Sequence, residues 1–182
     1  MIITACSDYA LKNEIKTGPE IVIHPTSIDF GHLLSGQESG QESFVIINAG
    51  DEDLIINKPV VNDVLRFSIS DNLSEEYTIQ PGNSVEFDVY YNPETYENNN
   101  TVITISSNDE DEEYIELPVS GNGDAPLLSI EPPNLYFGDI SIGCAIEETV
   151  TLRNNGNLNL IISNVTQMAT LPTDIVADFG SL

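Results

Sequence analysis

The chain has 182 residues, room for one domain of about 100 residues and part of a second. Thirty carboxylates face five cations, a formal charge of −25. That balance argues against a phosphate backbone or an anionic membrane surface as ligand, since both need clustered Lys and Arg. No apolar run approaches the ~18–20 residues of a membrane-crossing helix.

In chain order, Ile3-Thr4-Ala5-Cys6 comes first, followed by the polar Ser7-Asp8. Small residues before a Cys look like a bacterial lipobox, in which that Cys carries the lipid. Cys6 is thus the candidate lipid anchor, and residues 1–18 read as leader and tether. Strand signals follow. Val85, Phe87, Val89 and Tyr91 alternate with Glu86, Asp88 and Tyr90, the period of a half-buried antiparallel strand. Ile103 and Ile105, then Ile115, Leu117 and Val119, continue the pattern. Expected strands lie near 20–24, 27–29, 43–48, 53–57, 65–70, 76–79, 84–91, 101–106 and 113–119. Pro81-Gly82, Asn98-Asn99-Asn100 and Ser107-Asn108-Asp109 supply turn chemistry. Ser120 to Ala125 reads as a short linker, too brief for free tumbling. Beyond it, strands are expected near 127–131, 134–137, 148–154 and 159–163. Short strands at this spacing predict an all-β protein of immunoglobulin-like sandwiches.

The chain also repeats itself. Pro19 to Gly31 returns as Pro126 to Gly138, placing Phe30 and Phe137 107 positions apart. Phe44 to Gly50 answers Val150 to Gly156. A period this long is a whole small domain rather than a solenoid unit. The predicted organisation is a complete module at 19–123 and a partial, incomplete second module at 124–182. The second lacks the Pro-Gly turn, the strand to Tyr91-Asn92-Pro93 and the closing strands.

Several phrases carry a resemblance: Pro25-Thr26-Ser27-Ile28-Asp29-Phe30-Gly31 with Gly36, and Asn48-Ala49-Gly50 after an apolar strand. Ile79-Gln80-Pro81-Gly82, Val89 to Pro93, Ser106-Ser107-Asn108-Asp109 and Val119 to Gly123 follow in order. Together they resemble the bacterial choice-of-anchor D repeats, relatives of the abnormal-spindle/Hydin (ASH) modules with a major-sperm-protein-like sandwich. The resemblance covers 19–123 fully and 125–165 in part. It implies an immunoglobulin-like sandwich in secreted or surface proteins, used for spacing, adhesion or assembly, and it carries over no catalytic residue. In that frame Phe30 and Phe137 read as core plugs. Gly31, Gly36 and Gly50 read as places where a side chain would not fit.

The chemistry-bearing residues are sparse. His24 and His32 are replaced by Glu131 and Asp139 in the second copy, as expected of solvent-facing positions. Zinc needs three or four clustered His or Cys ligands. Cys144 aligns with Gln37 and reads as a free thiol. No cofactor is expected. The calcium candidates are Asp51-Glu52-Asp53 and Asp109 to Glu113, neither with an EF-hand pattern. Tyr77, Tyr90 and Tyr96 form the candidate binding surface, set against the alternative that Tyr91 is buried and Tyr90 packs under a loop. The expected function is non-enzymatic: an exported, lipid-anchored or secreted module contacting protein or glycan. The alternatives are an N-terminal accessory fragment of a larger secreted enzyme or adhesin, or an assembly subunit completed by a neighbour's strand.

Overall fold

A computed structural model describes residues 17–70 and 74–163. The chain divides into two compact units, Met1–Gly123 and Asp124–Leu182. In chain order the strands are β1 (Ile21–His24), β2 (Ile28–Leu34), β3 (Gly40–Asn48), β4 (Leu54–Asn57), β5 (Val60–Val61) and β6 (Phe67–Ile69). β7 (Glu76–Ile79), β8 (Ser84–Tyr91), β9 (Glu97–Ser106), β10 (Tyr114–Asp124), β11 (Leu128–Glu131) and β12 (Thr151–Asn154) follow. Among the described residues there is no helix.

The first unit is a sandwich of two four-stranded sheets, β1-β3-β8-β6 and β2-β10-β9-β5, with the pair β4-β7 beside them. The alternation in the sequence decides which side chains meet. Phe87, Val89 and Tyr91 of β8 face inward with Phe44 and Ile46 of β3 and Phe67 of β6. They close over Ile103 and Ile105 of β9 and Leu117 and Val119 of β10. Phe44 stacks on Phe87, and Phe67 on Tyr91, at centroid distances of 5.3 and 4.6 Å. Each such buried aromatic or aliphatic side chain contributes about 1.5–3 kcal/mol of transfer free energy. Leu54, Ile56 and Ile79 of the small pair join the same core.

The second unit repeats the framework of the first. Gly50 sits where a Cβ would run into the Gly18 carbonyl and the Glu20 nitrogen. Gly156 sits identically against Ala125 and Leu127. His24-Pro25 and Glu131-Pro132 are both cis. β11 pairs with β12 as β1 pairs with β3, Leu128 opposite Asn154 and Ile21 opposite Asn48.

Five expectations need correction. Asn98 to Asn100 is not a turn but the start of β9, and Ser120 to Asp124 is not a linker but the end of β10, paired through Gly123↔Glu97. The Tyr91 ring explains both: its hydroxyl donates to Asn99 Oδ1 at 2.7 Å, and a Cβ on Gly121 would lie 2.5 Å from it. The two-residue β5 was too short to announce itself. Segments 134–137 and 159–163 are not strands. Their first-unit counterparts, β2 and β4, are held by β10 and β7, and no described residue of the second unit plays those parts. Phe30 and Phe137 are half-buried rather than central, Phe30 lying at the core margin 5.4 Å from Tyr91. Gly31 and Gly36 have open space around them, so their constraint is a positive φ (+64° and +69°), not crowding.

Candidate functional site

The most elaborated polar structure of the first unit is the end where the β3–β4 turn, the β9–β10 loop and the entry to β1 meet. Asn48 closes β3 and is fully buried. Its Nδ2 donates to the Glu52 and Ile79 carbonyls at 2.7 and 2.8 Å. Its Oδ1 accepts from the N–H groups of Gly50 at 3.0 Å and Glu20 at 3.4 Å. A buried amide spends its full capacity here, which is the condition for burying one at all.

Ser107-Asn108-Asp109 does similar work from β9. Asn108 behaves as a strand residue made from both backbone and side chain. Its N–H donates to the Ile55 carbonyl, and its Oδ1 accepts the Ile55 N–H at 2.8 Å. Its Nδ2 reaches the Asp53 carbonyl. Asp109, buried, accepts the Ile21 N–H at 2.9 Å through Oδ2 and the Asp111 N–H at 3.3 Å through Oδ1. Ser107 Oγ accepts the Asp109 N–H and donates to the Glu112 carbonyl. One loop thus fastens β4 and β1 at the same end.

The fold brings Glu20 beside the acidic run 109–113. Carboxylate oxygens of Glu20, Asp109 and Asp111 lie within 4.8 Å of one another. These are hard oxygen donors of the kind calcium takes. Both oxygens of Asp109 already accept backbone N–H groups, so its first task is holding chain. Elsewhere, Gly31 N–H and the Ser120 hydroxyl donate to Asp29 Oδ1, both at 3.0 Å, and hold that carboxyl below its ordinary value. The hydrogen bond from Arg66 lowers Glu97 and raises Arg66. Both pairs are solvent-accessible strand fasteners, a class worth little individually.

The expected site residues fall in separate places. Cys6 lies outside the described residues. Tyr77 turns inward, its ring edge-on to Phe87 at 5.2 Å and its hydroxyl accepting the Ser74 N–H. Tyr90, half-buried, alternates with inward Val89 and Tyr91 and so faces outward from β8. Tyr96 is exposed in the β8–β9 connection. Tyr77 and Tyr90 therefore do not share a face. His24 and His32 are exposed. Cys144 is an exposed free thiol beginning where a turn from Ser141 closes. Nothing in the composition of Asn48-Ala49-Gly50 announces the backbone-holding role of Asn48. The available signal was its recurrence as Asn154, which repeats the bonds: Nδ2 to the Leu158 carbonyl at 2.7 Å, Oδ1 from Gly156 and Leu127 N–H at 3.1 Å each.

A sequence profile described as the HYDIN/CFA65/VesB-like, Ig-like domain matches residues 19–122. Among solved structures, the chain is similar to a protein of unknown function from Porphyromonas gingivalis W83. That match has 18% identity, a TM-score of 0.49, and covers 63% of this chain and 51% of that one, about half its length. The ASH/PapD-like domain 7 of human CEP192 aligns at 14% identity and TM-score 0.45, over 68% of this chain and 96% of that one. The secreted serine protease VesC from Vibrio cholerae aligns at 18% identity and TM-score 0.42, over 53% and 22%. No curated protein matches. The profile spans nearly all of the described sandwich, from just before Glu20, held by Asn48, to Asn122 near the end of β10. Through that module the chain belongs to the HYDIN/CFA65/VesB-like family of Ig-like domains.

Proposed function

We propose that the chain is a non-enzymatic, exported β-sandwich protein that spaces or assembles partners at a cell surface. The observation that carries this reading is the use of the polar residues at the end of the sandwich: Asn48, Asn108 and Asp109 spend their capacity on backbone groups of other segments. The same is true of Asn154 in the second unit. Residues used in this way are framework, and a reaction would need a nucleophile and base held free for substrate. The partner class is protein or glycan; the charge of −25 disfavours nucleic acid. Cys6 would be the lipid anchor and 7–18 the tether.

Expression from the native locus followed by cell fractionation tests the reading. The expected result is detergent-dependent recovery from membranes, with Cys6→Ser releasing the protein to the soluble exported fraction. Recovery of the unaltered protein from the cytoplasm would refute it. The reading also carries no bound cofactor. Calcium is expected to move the melting temperature no further than sodium salt of equal ionic strength, by screening alone. A saturating, stoichiometric shift would overturn that.

A second form of the reading has its own support. Leu128, Ile130, Leu135 and Val150 of the second unit are exposed apolar side chains, which favours an assembly subunit, or an accessory segment of a larger protein, over a free-standing spacer.

A further inference from the structure

In the first unit the two sheets differ in what they turn to solvent. Three large apolar side chains stand exposed on its strands: Ile55 of β4 at 38%, Val60 of β5 at 57% and Tyr114 of β10 at 73%. All three lie on one face, the outside of the β10-β9-β5 layer and of β4 beside it. Among the described residues no strand of the opposite sheet exposes such a side chain.

The pairing registers fix how this face is built. Directly opposite residues of antiparallel strands point to the same side. Tyr114 is opposite Ser106, and Asn57 Nδ2 donates to Ser106 Oγ at 2.9 Å, so Asn57, Ser106 and Tyr114 form one row across three strands. Thr104 is opposite both Val60 and Glu116, which makes the next row. The alternating neighbours Ile103, Ile105 and Leu117 are buried. The short hydroxyl side chains of Ser106 and Thr104 thus run down the middle, with a ring and a carboxylate along one side. Beyond them the face continues to a hollow of about 370 Å³ lined by Asn62, Asn100, Thr101 and Val102. From Ser106 to Asn100 the floor measures about 20 Å, enough for a short extended segment.

The charges select the occupant. Glu112 and Glu113 precede Tyr114 and Glu116 follows it, all exposed. Among the described residues the ion pair is Arg66 with Glu97, so no cation answers these three. Tyr114 and Glu116 share the face two positions apart, about 7 Å. A guanidinium can lie flat on the Tyr114 ring while its edge donates to the Glu116 carboxylate, joining a cation–π contact to a charge-assisted hydrogen bond. A lysine ammonium has no planar face with which to make both contacts. A neutral glycan would leave the carboxylates unanswered.

We infer that this face is a docking site for an extended, arginine-bearing segment of a partner protein. The segment lies along β9, its arginine on Tyr114 and Glu116 and an apolar side chain toward Val60. This deepens the assembly reading proposed above by naming the partner's chemistry, and its test needs neither export nor Cys6.

The probe is the synthetic peptide Thr-Arg-Thr-Val-Thr-Arg-Thr, titrated into the full chain at about 0.15 M salt while amide resonances are followed. Saturable shifts are expected at Thr104, Ser106, Tyr114 and Glu116, with a Kd of about 0.1–1 mM. The same peptide with lysine in place of both arginines, equal in charge, should bind about threefold or more weakly. Tyr114→Ser should weaken the arginine peptide about fivefold, and Glu116→Gln about tenfold. Glu86→Gln removes the same charge from the outside of the opposite sheet and should change binding by about twofold or less. All three positions are exposed, and unchanged melting of each variant checks that the fold is intact. Equal affinity for the two peptides, with shifts scattered over the acidic surface, would overturn the inference and leave only charge attraction. So would saturable shifts from maltoheptaose and none from the peptide, the behaviour of a glycan site. Peptide binding seen only after removal of residues 1–16 would also overturn it, giving the face to the chain's own leader. Failure of the fractionation experiment would instead remove the surface role and leave this docking face standing.

Discussion

Asn48→Ala is expected to destabilise the first unit by about 2–4 kcal/mol, the cost of leaving one buried backbone group unmade at about 1–3 kcal/mol and the part-buried ones at less. The groups at stake are the Glu52 and Ile79 carbonyls and the Gly50 and Glu20 N–H groups. Asn48 is fully buried and so is its bond to the Ile79 carbonyl, while the other three bonds are part-buried at the end of the sandwich. Asn48→Asp keeps the acceptor and loses the donor, so it is expected to be damaging in a different way, facing two carbonyls with a carboxylate. Asn154→Ala makes the control. Asn154 forms the same local bonds but is exposed, and water can replace what it loses, so about 1 kcal/mol or less is expected. Urea unfolding followed by amide resonances of each unit separates the two effects. Equal losses at both positions would contradict the burial argument.

The second large effect is expected at Tyr91. Its ring stacks on Phe67, touches Phe30 and covers Gly121, and its hydroxyl holds Asn99. Tyr91→Ala should cost about 3–5 kcal/mol, as for other large aromatic truncations. Tyr91→Phe keeps the packing and removes the bond to buried Asn99, for about 1–2 kcal/mol. Gly121→Ala drives a methyl into the ring and should cost about 1–3 kcal/mol by overpacking. That penalty should largely vanish in a Tyr91→Ala background, since the two side chains compete for one space. A double-mutant cycle with no coupling would mean that Gly121 is small for another reason.

These two residues also mark where the sequence was readable. β7 and β8 were legible to the residue, because a strand with one buried face must alternate and Val85, Phe87, Val89 and Tyr91 do. The start of β9 was not. Asn98-Asn99-Asn100 has the composition of a turn, and what makes it a strand is a ring eight positions away and a glycine on β10. Local chemistry cannot show that. Segments 134–137 and 159–163 failed in the opposite direction: they have strand-like residues, but a strand exists only in a ladder, and the described residues offer them no partner. The acidic run 109–113 and Glu20 were visible separately. Their meeting follows from topology. Tyr77, Tyr90 and Tyr96 were close in sequence, and the alternation of β8 and the inward turn of β7 divide them.

The bond from the Ile21 N–H to Asp109, 88 residues later, has a mechanical consequence. A module hung from its first residues receives any pull at Glu20, immediately before β1. β1 is a four-residue edge strand, which by itself would peel from β3 one pair at a time. Asp109 ties its first residue to the loop between β9 and β10, which belong to the opposite sheet. Tension entering there is divided between both layers from the outset, so this short edge strand does not have to carry the load alone.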